Sequence, residues 1–109
     1  MRPLAVDLID KWLGRYQYAL GKRYRSQGQL VKAITAFDAA EKWLVTNRGA
    51  KHPHVVAAII SRAATYAQMG RTIEACRDYE RALDLITATV GRDHPKAAEV
   101  TRYLDATCR

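Results

Sequence analysis

The chain is poor in what several common protein classes require. Two cysteines in 109 residues are too few for a disulfide framework, and Cys76 and Cys108 lack the Cys-x-x-Cys spacing of a redox or zinc motif. The sequence therefore points to two reduced thiols in an intracellular protein. No window approaches the roughly 20 apolar residues that a membrane helix needs. The opening MRPLAVDLID holds a short apolar run, which Asp7 and Asp10 interrupt before a signal-peptide core is complete. The expected location is the cytoplasm, with no membrane partner. Acidic residues are scarce as well: 11 Asp and Glu stand against 18 Lys and Arg, a net charge of +7. That balance attracts anions, whether acidic peptides, nucleic acid or lipid head groups, without choosing among them.

Catalytic and cofactor signals are equally thin. No Ser-His-Asp arrangement can be placed, and the glycines read as helix stops rather than a phosphate loop. Glu41, Glu74, Asp78, Glu80 and Asp84 are scattered along helices whose polar faces are expected to look toward solvent. Cys76 sits beside a small-residue contact position, a place for packing rather than nucleophilic attack. His52, His54 and His94 raise the question of a metal. However, His52-x-His54 straddles a proline, no cysteine accompanies it, and His94 belongs to another segment. These histidines read as turn residues that hydrogen-bond nearby backbone. No enzyme activity, cofactor or metal is expected.

What the chain does have is a repeat. GAKHPH at Gly49–His54 and GRDHPK at Gly91–Lys96 share Gly-x-x-His-Pro, and Pro53 and Pro95 lie 42 positions apart. The same shift lays Tyr24 on Tyr66, Gly28 on Gly70, Ala33 on Ala75, Phe37 on Tyr79 and Ala40 on Ala82. Each unit reads as two helices. A first helix runs to Gln27, Gly28 breaks it, and a second runs from Gln29 to about Asn47. In the next unit a helix spans His54–Met69. Gly70-Arg71 ends it, Thr72 is a candidate N-cap, and a helix follows to about Val90 with Ile73, Cys76, Tyr79, Leu83 and Ile86 on one face. Pro95 suits the first position of a last helix.

Paired antiparallel helices need small residues where backbones approach, so Gly21 is expected against Ala33 and Ala63 against Ala75. Tyr24, Phe37, Tyr66 and Tyr79 then fill the space beside those contacts. On the first helix, Leu13, Gln17, Leu20 and Tyr24 form the core-facing stripe. A hairpin of this kind cannot bury its apolar face alone, so adjacent pairs stack into a solenoid.

Leu20-Gly21-x-x-Tyr24-x-x-x-Gly28 followed by Ala33, Phe37 and Ala40 resembles the tetratricopeptide repeat. So does Ile59-x-x-x-Ala63-x-x-Tyr66-x-x-x-Gly70 followed by Ala75, Tyr79 and Ala82. That repeat usually has about 34 residues; the longer period with Gly-x-x-His-Pro in the linker resembles the kinesin light chain-type variety. Arg62 departs from the pattern at a position usually held by Leu, and Gln17 at one usually held by Trp or Leu. The resemblance implies an all-α, right-handed superhelix forming a single domain over residues 1–109: repeat 1 at 10–47, repeat 2 at 54–90, and a capping helix at 96–108. It also implies a non-enzymatic adaptor that binds a peptide or partner helix in a concave groove. The groove positions are Arg15, Tyr18, Lys22 and Arg25 on the first helix, Ile60, Ala64 and Gln68 on the third, and Arg102 on the last.

Lys11, Arg15, Lys22, Arg23 and Arg25 crowd one helix, although like charges three or four apart destabilise it by a few tenths of a kcal/mol per pair. The expected ligand is accordingly an acidic segment or a chain carboxylate. Two alternatives stand beside this reading. One is self-assembly through exposed apolar residues such as Leu4, Val6, Leu8 and Ile9, in a chain that reads as a possible piece of a larger protein. The other is an accessory nucleic-acid-binding role tracked by Arg48, Lys51, Arg71 and Arg92.

Overall fold

The glycines at the expected stops fix the architecture. A computed structural model describes the backbone from Leu4 to Arg109 and side chains from Leu13 onward. Five helices follow one another: α1 (Leu4–Ser26), α2 (Leu30–Arg48), α3 (Pro53–Gln68), α4 (Thr72–Val90) and α5 (Pro95–Cys108). Among the described residues there is no strand, and no helix is long and apolar enough to cross a membrane. Leu4, Val6, Leu8, Ile9 and Lys11 lie outside the described side chains.

The two units repeat in backbone detail. Gly28 and Gly70 sit at φ 77° and 76°, and Gly49 and Gly91 at 91° and 92°. At the first pair the next amide reaches back to the same relative carbonyl, Gln29 N–H to Tyr24 at 2.8 Å and Arg71 N–H to Tyr66 at 2.9 Å. Gly28 N–H also bonds Arg25 O, and Gly70 N–H bonds Ala67 O. This is the Schellman closure, whose left-handed residue favours glycine because it has no Cβ to clash. The linkers repeat too. His52 Nδ1 accepts from the His54 amide at 3.1 Å, and His94 Nδ1 accepts from the Lys96 amide at 3.0 Å, each imidazole capping a helix that begins with proline. The turn role expected for these two histidines is their observed one.

Each helix packs on its successor, and α1 touches α3 only lightly. Gly14 lies under the Trp43 ring and Gly21 under Phe37. Arg62 meets Asp78, and Tyr79 meets Tyr103 at 5.4 Å. Along α1 the earlier Gly14 meets the later Trp43 of α2 and the later Gly21 meets the earlier Phe37; α3 meets α4 late against early and α4 meets α5 early against late, so successive helices are antiparallel. The core runs continuously from Leu44 through Val55, Ile59, Ala63, Tyr79 and Ile86 to Val100 and Leu104.

Several expectations are corrected. The atoms nearest Gly21 belong to Phe37, not Ala33: a Cβ there would stand 2.7 Å from the fully buried ring. Leu13 is 44% exposed, because no described helix covers that side of α1 and its buried line passes through Gly14 and Gly21 instead. Ile73 is 70% exposed in the first turn of α4, as is its counterpart Val31 at 69% in α2; both lie ahead of the buried positions Ala75 and Ala33. The α4 N-cap is Arg71, without a side-chain cap bond, and Thr72 is already helical.

Two corrections concern chemistry. Asp78 and Glu41 do not look toward solvent. Arg62 donates Nε and Nη2 to Asp78 at 2.8 Å each, Nη1 to Asp38 at 2.8 Å, and both Nη groups to Glu41 at 3.4 Å. Arg81 reaches Glu41 from the outside at 3.0 Å. The hydrogen-bonded Asp78 carboxylate drives the Arg62 pKa still higher against the opposing cost of burial. Three helices are thus joined at one guanidinium. The cysteines are not free thiols either: Cys76 and Cys108 form a disulfide that ties the end of α5 to the start of α4.

Candidate partner-binding groove

α1 and α3 run parallel, separated by one helix in sequence, and their facing stripes meet side chain to side chain. Tyr18 Oη and Ser61 Oγ are 3.3 Å apart, and Arg25 Nε donates to Gln68 Oε1. Both pairs are offset by 43 residues, so the register of the two helices is nearly the repeat period. Two open hollows lie between them. One, of about 310 Å³, is lined by Gly14, Arg15, Tyr18, Leu44, His54 and Ala57. The other, of about 360 Å³, is lined by Lys22, Arg25, Ser26, Ser61 and Gln68.

Tyr18 lines the first of them. Its ring packs on Phe37 at 5.9 Å between centroids and carries the Lys22 ammonium 5.6 Å above it. A lysine held over an aromatic face keeps its charge forward without an acidic partner. Among the described residues, no carboxylate forms an ion pair with Arg15, Lys22 or Arg25. Arg62, Arg71, Arg81, Lys96 and Arg109 each have one.

Five of the eight expected groove residues line these hollows: Arg15, Tyr18, Lys22, Arg25 and Gln68. Ile60 and Ala64 are half-buried on α3 and line neither hollow. Arg102 is exposed on α5, which packs on α4, and it too lies outside both. His54 and Ser61 line the groove without having been expected there. Their signal was available, since His54, Ala57, Ser61, Ala64 and Gln68 advance in steps of three and four.

A third hollow, of about 150 Å³, opens where the first linker passes α1, and is lined by Arg15, Trp43, Leu44, Arg48, His52 and His54. The two imidazoles meet edge to face at 4.8 Å. Partial burial, then the His54 ring and then Arg48, hold the His52 pKa below its usual value. Arg71, named with Arg48, Lys51 and Arg92 as a phosphate-tracking set, lies on the turn at the opposite end of the helices. It pairs with Glu74 at 2.9 Å and stacks over Tyr66 at 5.5 Å.

A search of curated proteins finds no match. The tetratricopeptide repeat model does match, over residues 54–108, just over half of the chain. With antiparallel helix pairs stacked in sequence, glycine-closed turns and small residues at the close contacts, the chain belongs to the tetratricopeptide repeat family.

Proposed function

We propose that this chain is a non-enzymatic docking adaptor that holds an acidic peptide segment along the α1–α3 groove. Tetratricopeptide repeats are generally protein-interaction scaffolds, which supports the class of function. The finer reading rests on one observation: the groove gathers Arg15, Lys22 and Arg25 along one helix with no ion-pair partner among the described carboxylates, a state they share with eight other described cations while five are paired. A row of cations unpaired by any described carboxylate, beside Tyr18, complements carboxylates and offers an aromatic contact between them. Arg102 has no part in this reading. We assign α5 the covering role at the end of the repeat 2 core, on the strength of buried Ala97, Val100 and Leu104. The 42-residue period supports the kinesin light chain-type variety. For the compartment, the cytoplasmic reading rested on free thiols, on the interrupted apolar run at the start and on the lack of a membrane-length window; the Cys76–Cys108 bond counts against the first of these and favours an oxidising compartment.

The test uses acidic peptides and the Lys22→Glu/Arg25→Glu variant. Both positions lie on the α1 surface and away from the buried core, so helicity measured by circular dichroism should be unchanged. Affinity for an Asp/Glu-rich peptide is expected to fall by about tenfold or more, since two favourable charge contacts become repulsive. The wild-type affinity should also decline with added salt. Equal affinity in the two proteins, with equal helicity, removes the groove reading.

A further inference from the structure

The 42-residue shift that relates the two repeats also relates two of the hollows. Adding 42 to the residues lining the corner at the first linker turns Arg15 and Arg48 into Ala57 and Val90, and Trp43 and Leu44 into Leu85 and Ile86. His52 and His54 become His94 and Lys96. All six of these residues line a second hollow of about 240 Å³ at the second linker. The scaffold therefore makes the same concavity twice.

The linings differ where charge is concerned. The second hollow is lined mainly by aliphatic side chains together with Lys51, Thr89, His94 and Lys96, and Lys96 is paired with Glu99 at 3.3 Å. The first has two guanidiniums and a second imidazole, and no described carboxylate lines it. The shared histidines His52 and His94 are accounted for by helix capping. Arg15 and Arg48 are not, because the sister hollow closes with alanine and valine in their places.

We infer that the corner formed by Arg15, Arg48, His52 and His54 is an oxyanion site, which seats one carboxylate or phosphoryl group of the acidic segment bound in the groove. It rests on the groove reading for its partner, but not for its chemistry. Guanidiniums from two different helices offer forked donors suited to a planar or tetrahedral oxyanion. His52 adds a donor of fixed tautomer: its Nδ1 accepts the His54 amide, so its hydrogen resides on Nε2. Trp43 contributes to the wall, and its Nε1 is a buried side-chain polar atom without a partner among the described residues. At about 150 Å³ the site is smaller than the several hundred Å³ typical of drug-sized ligands, which limits it to a single group. Arg15 and His54 line both this corner and the groove hollow of about 310 Å³, so a peptide reaching one enters the other.

The charged groups facing His52 are Arg15 from α1, Arg48 from α2 and His54 from α3. With the site empty, the His52 pKa is depressed by burial, the His54 ring and Arg48. A bound anion offsets that repulsion and favours the protonated ring, even though the added hydrogen falls on Nδ1 and displaces the His54 amide from it. Protonation and anion binding then reinforce each other, so affinity rises as pH falls through and below the ordinary histidine range near about 6.5.

The probe is inorganic sulfate, a dianion across the working range, titrated into the whole chain at constant ionic strength and followed by NMR. Saturable shifts are expected at the Arg15 and Arg48 side chains, the His52 and His54 rings and the Trp43 indole N–H, with a much weaker response around His94. The His52 titration midpoint should move up by about half a pH unit or more, equivalent to roughly threefold tighter binding at low pH. Arg48→Gln should weaken binding about tenfold. His52→Asn keeps an effective N-cap and should reduce the pH dependence while leaving helicity intact. A response of equal size at His94, no saturable response at the corner, or unchanged affinity in Arg48→Gln overturns the site. Peptides carrying a single phosphoserine or a single glutamate then identify the source of the oxyanion by competing with sulfate, and failure of both also overturns it. The two readings fail separately. Peptide binding that depends on Lys22 and Arg25 without any sulfate binding removes the corner alone. Sulfate binding with peptide affinity indifferent to those two residues removes the groove alone.

Discussion

Replacing Arg62 by leucine should lower the free energy of unfolding by about 3 kcal/mol, the lower end of the cost of removing one partner from a buried ion pair. For a domain of this size that corresponds to a fall in melting temperature of about 15 °C. The loss arises on the other side of the pair. Asp78 is 8% exposed, and without the two Arg62 bonds at 2.8 Å its carboxylate is left buried and unpaired. Asp38 is 45% exposed at its side chain and recovers water; Glu41 keeps Arg81. The repeat supplies its own control. Leu20 and Ala36 occupy the corresponding positions of repeat 1, so the double variant Arg62→Leu/Asp78→Ala rebuilds an apolar pair that the fold already uses. It should recover most of the loss, a non-additivity expected for residues in direct contact. Chemical denaturation of the wild type and the three variants measures the cycle. A single-variant loss below about 1 kcal/mol, the level of an exposed ion pair, would show that the guanidinium is not effectively buried.

The second large effect comes from the disulfide. Cys76→Ser/Cys108→Ser should cost about 3 to 4 kcal/mol, because the bond closes a loop between residues 32 apart and restricts the unfolded chain accordingly. Reducing the wild type should give a similar loss, and wild type and variant should then unfold alike. The effect should concentrate on α5, whose hold on the rest is its single face of Ala97, Val100 and Leu104 together with this bond. Two thiols titrating in the native, unreduced protein, or equal stability with and without reductant, would refute the pairing.

Much of the fold was legible because the determinants are local and occur twice. Gly28, Gly70, Gly49 and Gly91 each end a helix at the expected place, and Ala33, Phe37, Ala63 and Ala75 are buried where the pattern requires small or aromatic residues. Half of the groove could be read the same way, since the α1 stripe follows from steps of three and four. What escaped depends on which helices become neighbours. Arg62 was visible as a departure from the pattern, but its partner Asp78 was read as a solvent-facing residue. Comparing both positions with Leu20 and Ala36 together would have linked them. Cys76 and Cys108 share no spacing signal; they meet only because α5 runs antiparallel to α4. Arg48 was assigned to a phosphate-tracking set and His52 to a turn, correctly for His52, yet their convergence with Arg15 requires α1 to pass beside the linker.

Packing chiefly by immediate neighbours has a mechanical consequence. Helices arranged in single file loosen from their extremities inward, and the covalent stitch secures only the α4–α5 extremity. Hydrogen exchange should therefore be faster in α1 than in α3 and α4. The proposed ligand contacts on Arg15, Tyr18, Lys22 and Arg25 all belong to that looser extremity. Occupancy would stiffen the part of the molecule with least restraint of its own, so part of the binding free energy goes into ordering α1.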